Sequence, residues 1–69
     1  MIVKEHDLIN FSVNAEIGAR RYYNKVVLCK DGNLIVKIDD INVPICEVYH
    51  IEIVGNMVNS FNEKHDKSI

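Results

Sequence analysis

The sequence predicts an all-β protein, built as a small curled antiparallel sheet of about five strands. Three observations support this fold class. The chain has ten Ile and nine Val among its 69 residues but only three Leu and two Ala, and β-branched side chains favour strands. Apolar and polar residues alternate over residues 9–17. The dipeptide Asp31-Gly32, which is typical of tight hairpin turns, separates two apolar runs.

The first strand is predicted over residues 9–17, because its odd positions are apolar and its even positions are polar. A period of two with one polar face indicates a strand that is buried on one side only. Gly18 interrupts the alternation. Residues 19–23 are then expected to form a polar and aromatic connection rather than a strand.

Two further strands are predicted on either side of Asp31-Gly32, paired through a type I′ turn. This turn fixes the register, so that Cys29 lies opposite Leu34. The register places five side chains on the inner face of the sheet: Val27, Cys29, Leu34, Val36 and Ile38. Three apolar side chains fall on the opposite face: Val26, Leu28 and Ile35. Because one sheet layer cannot bury both faces, the second set is predicted to form an oligomer or partner surface.

A second hairpin is predicted after Ile38, with its turn at Asp39-Asp40. A two-residue loop and a four-residue loop both keep apolar residues opposite each other, so the length of this loop stays open. Pro44 cannot donate to a ladder, which places it at a sheet edge or a bend.

The last predicted elements are a 3₁₀-like turn over residues 46–49 and a short strand over residues 50–54. Residues 57–61 suit either one helical turn or loose packing. The polar tail over residues 62–69 is predicted to be flexible and disordered. Residues 1–61 are therefore expected to form a single small β domain.

The order of these elements resembles that of small SH3-like barrels, including Sm-like domains. In those barrels a strand–turn–strand ending closes the barrel, and VPICEVYHIEIV over residues 43–54 is similar to such an ending. The resemblance covers residues 9–54 and is topological. It implies a small five-stranded barrel and no particular activity, because this fold hosts many unrelated functions.

Size and charge limit the function classes. A chain of 69 residues buries only about 60% of its unfolded surface, so a second copy or another partner is expected to add stability. The formal net charge of −2 argues against a globally basic nucleic-acid binder.

The sequence has no apolar run near the roughly 20 residues that span a bilayer and no signal-peptide core. A cytoplasmic location is therefore expected. Many of the abundant residue types have A/T-rich codons, which suggests a low-GC bacterium, or a phage or mobile element of one.

The segment RRYYNK, over residues 20–25, is the predicted ligand- or partner-binding site. Its candidate contact residues are Arg20, Arg21, Tyr22, Tyr23 and Lys25. Two guanidinium groups beside two phenols suit a phosphate together with a base or another planar group. The resemblance implies the same site, since loops joining the first strands often line the binding face of SH3-like barrels. The alternative is that the tyrosines pack on the barrel mouth while the arginines are solvated.

Cysteine and histidine spacing predicts no metal and no cofactor. The expected register separates Cys29 and Cys46 by about 10 Å, which is too far for a disulfide, so both are expected to be buried free thiols. Cys46 and His50 lack zinc-ligand spacing. Asp39-Asp40 is expected to be a turn pair. No nucleophile or acid–base motif is present, so no catalytic residue is assigned and the protein is expected not to be an enzyme.

These observations predict a small non-enzymatic binding module that is homo-oligomeric. It is expected to bind a protein partner or a nucleotide-like ligand through the Arg/Tyr-rich loop and the apolar hairpin face. One alternative is an inhibitor or regulator, encoded by a phage or mobile element, that binds a host protein or sequesters a nucleotide. Another is a small barrel that binds single-stranded RNA or DNA.

Overall fold

A computed structural model describes residues 2–57 and shows two three-stranded antiparallel sheets. The elements in chain order are β1 (Asp7–Asn14), β2 (Ala19–Val26), β3 (Leu28–Lys30), β4 (Asn33–Ile38), β5 (Ile41–Pro44), a 3₁₀ turn (Ile45–Glu47) and β6 (Tyr49–Asn56). Sheet A has the order β2-β1-β6, and sheet B has the order β3-β4-β5. The all-β, antiparallel prediction is confirmed. The predicted flexible tail over residues 62–69 lies outside the described residues, as does nearly all of the segment 57–61.

The chain passes from sheet A to sheet B at Val27, which separates β2 from β3. The Val27 N–H donates to the Asp7 carbonyl oxygen (2.8 Å), and its own carbonyl oxygen accepts from the His6 N–H (2.7 Å). Because its backbone bonds to the segment around the start of β1, Val27 leaves the ladder of sheet B. Within residues 2–57 the ladders do not join the two sheets into a closed barrel, so the SH3-like barrel stays a prediction.

The core lies between the two sheets. Its fully buried side chains are Ile9, Phe11, Val27 and Val36. Ile38 and Val48 complete the buried cluster, and Leu34 is partly buried against it. Of the predicted inner face, Val27, Val36 and Ile38 are therefore confirmed as core residues.

The first strand is shorter than predicted and ends at Asn14. The Ala15 N–H donates to the Gly18 carbonyl oxygen (3.1 Å), and Gly18 has a φ of +74°, so residues 15–18 form a tight turn into β2. Ile17 lies in this turn and is 93% exposed. The prediction that Ile17 belongs to the buried face of a strand is wrong for this reason.

The segment RRYYNK lies on a strand, so the prediction of a connection over residues 19–23 is wrong. β2 pairs with β1 from the Asn14–Ala19 pair to the Leu8–Val26 pair. Strand formation depends on the neighbouring strand as much as on composition. Pairing with the apolar β1 therefore outweighs the polar character of RRYYNK.

Both predicted hairpins form with two-residue loops. Asp31 and Gly32 have φ values of 52° and 81°, as a type I′ turn requires, and Cys29 pairs with Leu34. The predicted turn is confirmed, and so is its register along β3. The predicted continuation of this register, with Val27 opposite Val36 and Lys25 opposite Ile38, is wrong, because β3 begins at Leu28 and Lys25 pairs with Ile9 of sheet A.

The second turn is of the same kind. Asp39 and Asp40 have φ values of 50° and 66°, and Ile38 pairs with Ile41, so the two-residue alternative is the observed one. Pro44 ends the edge strand β5, where its missing N–H costs no ladder bond. The 3₁₀ turn begins one residue earlier than predicted, and β6 is longer than predicted at both ends.

Both cysteines are free, as predicted, but both are exposed. The prediction that they are buried is wrong. Cys29 lies on β3, a three-residue edge strand, and Cys46 lies in the 3₁₀ turn. These positions are at the margin of sheet B and not in the layer between the sheets.

Candidate binding site

The residues of RRYYNK fall on two faces of sheet A because side chains alternate along β2. Tyr22 pairs with Phe11 and stacks on its ring, with centroids 5.6 Å apart and an interplanar angle of 26°. Arg20 shares this interior side with Tyr22. Arg21 and Tyr23 face outward. The structure therefore does not bring the five predicted site residues together on one surface.

A bulge at Asn24 returns Lys25 to the interior side. The register between β1 and β2 shifts at this point. Asn24 has a φ of 54°, and its N–H donates to Asn10 Oδ1 (3.0 Å). Because the bulge adds one residue to β2, Lys25 pairs with Ile9 and its Nζ lies 5.9 Å from the centroid of the Tyr22 ring. Lys25 and Tyr22 thus belong to the same surface.

Arg21 is held by three partners on the outer face of sheet A. Its Nη1 donates to Ser12 Oγ (2.9 Å) and to the His50 carbonyl oxygen (2.9 Å). Its Nη2 donates to a Glu52 carboxylate oxygen (2.6 Å) and forms an ion pair with it. These partners lie on β1 and β6, so one side chain links all three strands of the sheet. A ligand would have to displace Glu52 to use the guanidinium of Arg21 bidentately.

Aromatic side chains flank Arg21 on the outer face. Tyr23 is 61% exposed, and Arg21 Cζ lies 5.9 Å from the centroid of its ring. On β6, the rings of Tyr49 and His50 meet edge to face with centroids 5.0 Å apart. Tyr49 pairs with Ser12, which pairs with Arg21 on its other side. The outer face therefore combines exposed rings with an arginine that is already neutralised.

Arg20 lies at the surface, at the end of sheet A that the turn between β4 and β5 approaches. Interaction with the Tyr22 hydroxyl raises the pKa of the Arg20 guanidinium, and the negative charge of Asp39 raises it further. Arg20 and Tyr22 are therefore close to Asp39 of sheet B, although sequence separates them by almost twenty positions.

An open cleft of about 570 Å³ lies at this end of the molecule, between β1 and β2 on one side and β4 and β5 on the other. Its apolar lining comes from both sheets: Val13, Tyr22, Ile38, Ile41 and Val43. Its polar lining consists of Asn14, Asp39 and Glu47. The volume lies within the range of roughly 300–1,000 Å³ that is usual for ligand sites. Ile41 is 65% exposed at the mouth of the cleft.

Sequence reasoning missed this cleft. It assigned Asp39 to a turn, left Ile41 either in that loop or paired with Ile38, and gave Glu47 no functional role. The local signal is an apolar residue placed directly after a polar turn, on an edge strand that Pro44 ends. That signal predicts an exposed apolar side chain at Ile41. It does not predict the residues across the cleft from Ile41, because those lie on β1 and β2.

The predicted oligomer or partner surface is less open than expected. Ile35 is only 8% exposed, and Val26 and Leu28 are half-buried. Ile35 has Leu28 and Pro44 as its neighbours across the two ladders, and these shield it within the monomer. A role for this face in assembly stays a prediction.

Within residues 2–57, no group of three or more His, Cys, Asp or Glu side chains could hold a metal ion. In the same described part of the chain, no helix is both long and apolar enough to cross a bilayer. Comparisons of the chain with protein-family models, with curated proteins and with solved structures find no match.

Proposed function

We propose that this protein is a small non-enzymatic binding module that holds a segment of a protein partner in the cleft between its two sheets. The cleft is the observation that carries the proposal. Apolar side chains of both sheets line it, and Ile41 at its mouth is 65% exposed. Covering such surface contributes roughly 25 cal/mol per Å², and a concave apolar site with a few polar groups is typical of ligand binding.

RRYYNK contributes part of this site. Tyr22 lines the cleft, Arg20 lies beside Tyr22 and Asp39, and Lys25 lies along the same side of β2. Arg21 holds sheet A together instead of contacting the partner. The proposed site is thus the interior half of the predicted cluster together with the cleft residues of sheet B.

The proposal includes an SH3-like architecture and a cytoplasmic setting. The passage of the chain from sheet A to sheet B at Val27, and the 3₁₀ turn between β5 and β6, support the SH3-like arrangement. Cys29 and Cys46 are exposed and free, which suits a reducing compartment. If the captured segment belongs to a host protein, the module acts as the phage-type inhibitor or regulator that the composition suggests.

A nucleotide-like ligand, or single-stranded RNA or DNA, is the second candidate and would use the outer face of sheet A. The exposed ring of Tyr23 favours it, since bases stack on such rings. The pairing of Arg21 with Glu52 counts against it, because that guanidinium is not available to phosphate.

Co-purification with a tagged full-length chain tests the proposed function. Proteins recovered from a bacterial lysate are identified by mass spectrometry, and bound nucleotides by chromatography. The expected result is a protein that the wild type retains and Ile41→Lys loses. Ile2→Lys is the matched control, because Ile2 is 80% exposed and precedes the opposite end of β1. Equal retention by Ile41→Lys, or a nucleotide whose retention requires Tyr23, would contradict the proposal.

A further inference from the structure

The rim of the cleft carries negative charge. Asp39 and Glu47 line the cleft and are exposed. Asp40 occupies the same turn as Asp39, and Glu16 lies in the turn after β1. Arg20 lies beside this rim, where its guanidinium interacts chiefly with the Tyr22 side chain and less strongly with Asp39. Lys25 is a second cation near the cleft, since its Nζ lies 5.9 Å from the centroid of the Tyr22 ring.

Of the two acids that line the cleft, Glu47 is the one that does not interact with Arg20. In the described part of the chain, its carboxylate takes part in no hydrogen bond or ion pair. It projects from the 3₁₀ turn, next to the apolar lining that Ile41 and Val43 provide. A carboxylate beside an apolar site becomes costly when a partner covers it without supplying a counter-charge.

A partner therefore has to bring two kinds of group to this cleft. An apolar side chain is needed to cover the lining residues of both sheets, and a cation is needed to pair with Glu47 and share Asp39. Arginine and lysine make charge-assisted hydrogen bonds to carboxylates. An acidic segment, or the phosphate backbone of a nucleic acid, would be repelled by the same rim.

We propose that the cleft recognises a basic protein segment in which a large apolar side chain is flanked by Lys or Arg, with Glu47 as the main carboxylate contact. This inference rests on the proposed function, because it assumes that the cleft is the binding site. It adds the chemical class of the segment and the residues that select it. Asp39 and Glu47 exclude acidic segments, and the apolar lining excludes segments that are only basic.

Fluorescence anisotropy with short labelled peptides tests the inference on the full chain. The first peptide carries a Leu-Phe pair flanked on both sides by two arginines. The second keeps the Leu-Phe pair and replaces the arginines by glutamates. The third keeps the arginines and replaces the Leu-Phe pair by serines. We expect the first peptide to bind at least tenfold more tightly than either of the others, and its affinity to fall as salt rises.

A pair of double variants separates the rim from charge in general. Asp39→Asn/Glu47→Gln removes the rim charge, and Asn tolerates the positive φ at position 39. The control variant, Asp31→Asn/Glu5→Gln, removes the same amount of charge away from the cleft, in the turn before β4 and in the segment before β1. Asp31 matches Asp39 because it also lies in a turn at positive φ. We expect the first double variant to weaken binding of the Leu-Phe-Arg peptide about tenfold, and the control to change it less than twofold.

Several outcomes would overturn the inference. Equal binding of the glutamate peptide, or no effect of the rim variant, would show that charge does not select the partner; the proposed function would stand if Ile41→Lys still lost its co-purified protein. Equal binding of the serine peptide would show non-specific attraction. If a single-stranded DNA oligonucleotide bound more tightly than the Leu-Phe-Arg peptide, the cleft would be a nucleic-acid site. If a peptide with the sequence of residues 58–69 bound more tightly, the cleft would hold a segment of this chain. Failure of all three peptides would also reject the inference.

Discussion

Two adjacent arginines of the same chemistry have different surroundings and, we infer, different roles. Arg21 donates three hydrogen bonds that span sheet A, one of them to Glu52. Arg20 lies at the surface beside Tyr22 and Asp39. Which of two neighbours on a strand becomes structural depends on the face on which each lies, and the face is set by the pairing with β1.

We expect Arg21→Ala to lower the free energy of unfolding by about 1–2 kcal/mol, because it removes hydrogen bonds that link three strands. The ion pair with Glu52 adds little, since Glu52 is mostly exposed. Arg20→Ala is the matched control and should change stability by no more than about 0.5 kcal/mol. Urea unfolding followed by circular dichroism measures both. Equal midpoints for the two variants would contradict these separate roles.

The Asp7 side chain links the start of β1 to the end of β6 through a hydrogen bond with Asn56. Its carboxylate accepts from Asn56 Nδ2 (2.7 Å) and from the Lys4 N–H (2.8 Å), and these two bonds lower its pKa. A lowered pKa in the folded state means that the carboxylate stabilises the fold above its unfolded pKa of about 3.9. This contribution is lost as the pH falls through the lower, folded value.

Asp7→Asn should therefore destabilise the protein at pH 7 and make less difference at pH 3, where the wild type has begun to lose the same contribution. Urea midpoints at the two pH values measure the change. Asp31→Asn, which alters an exposed aspartate in a turn, controls for the loss of one negative charge. A difference between wild type and Asp7→Asn that is as large at pH 3 as at pH 7 would show that the carboxylate charge is not responsible.

At the scale of elements, the two hairpins are the feature that the sequence predicts best, because the conformation of a tight turn depends on neighbouring residues alone. Asp31-Gly32 adopts the positive φ values that type I′ turns need, and the register on both sides follows from the turn. Val36 and Ile38 are buried, as this register predicts.

We expect Gly32→Val to destabilise the protein by about 1–2 kcal/mol and Asn33→Val by less than about 0.5 kcal/mol. Gly32 has a φ of +81° and no atom within 4 Å of an added Cβ, so the cost comes from the backbone and not from a clash. Asn33 begins β4 and is exposed, where a β-branched residue fits. Indistinguishable urea midpoints for the two variants would show that positive φ at position 32 is not required.

Elements that depend on distant partners could not be predicted from local patterns. RRYYNK forms a strand because β1 lies beside it, and the bulge at Asn24 reverses the faces part-way along that strand. Sequence reasoning therefore identified the right segment but grouped Arg21 with Arg20. The cleft is harder still to predict from the sequence, because Val13 and Ile41 line the same cleft only when the two sheets are assembled.

At the scale of the whole molecule, a small chain leaves apolar surface uncovered at more than one place. Ile41 lines the cleft, while Ile53 and Val54 are 42% and 50% exposed on β6, an edge strand of sheet A. A domain of this size has few residues with which to shield both faces of each sheet. Partner binding at the cleft and self-association elsewhere are therefore compatible proposals.

We expect the wild type to self-associate at micromolar concentration, with the outer face of sheet B in the interface. Leu28 is half-buried on this face and pairs with Ile35, so Leu28→Lys places a charge where a second copy would pack. This variant should sediment as a 7.9 kDa monomer, whereas Ile2→Lys, which changes a residue outside both sheets, should retain the mass of the wild type.

Circular dichroism is used to check that Leu28→Lys is folded before its mass is interpreted. A wild type that stays at 7.9 kDa across the concentration range would reject self-association. A folded Leu28→Lys with unchanged oligomeric mass would instead move the interface away from sheet B, because a buried unpaired lysine would be too costly to tolerate there.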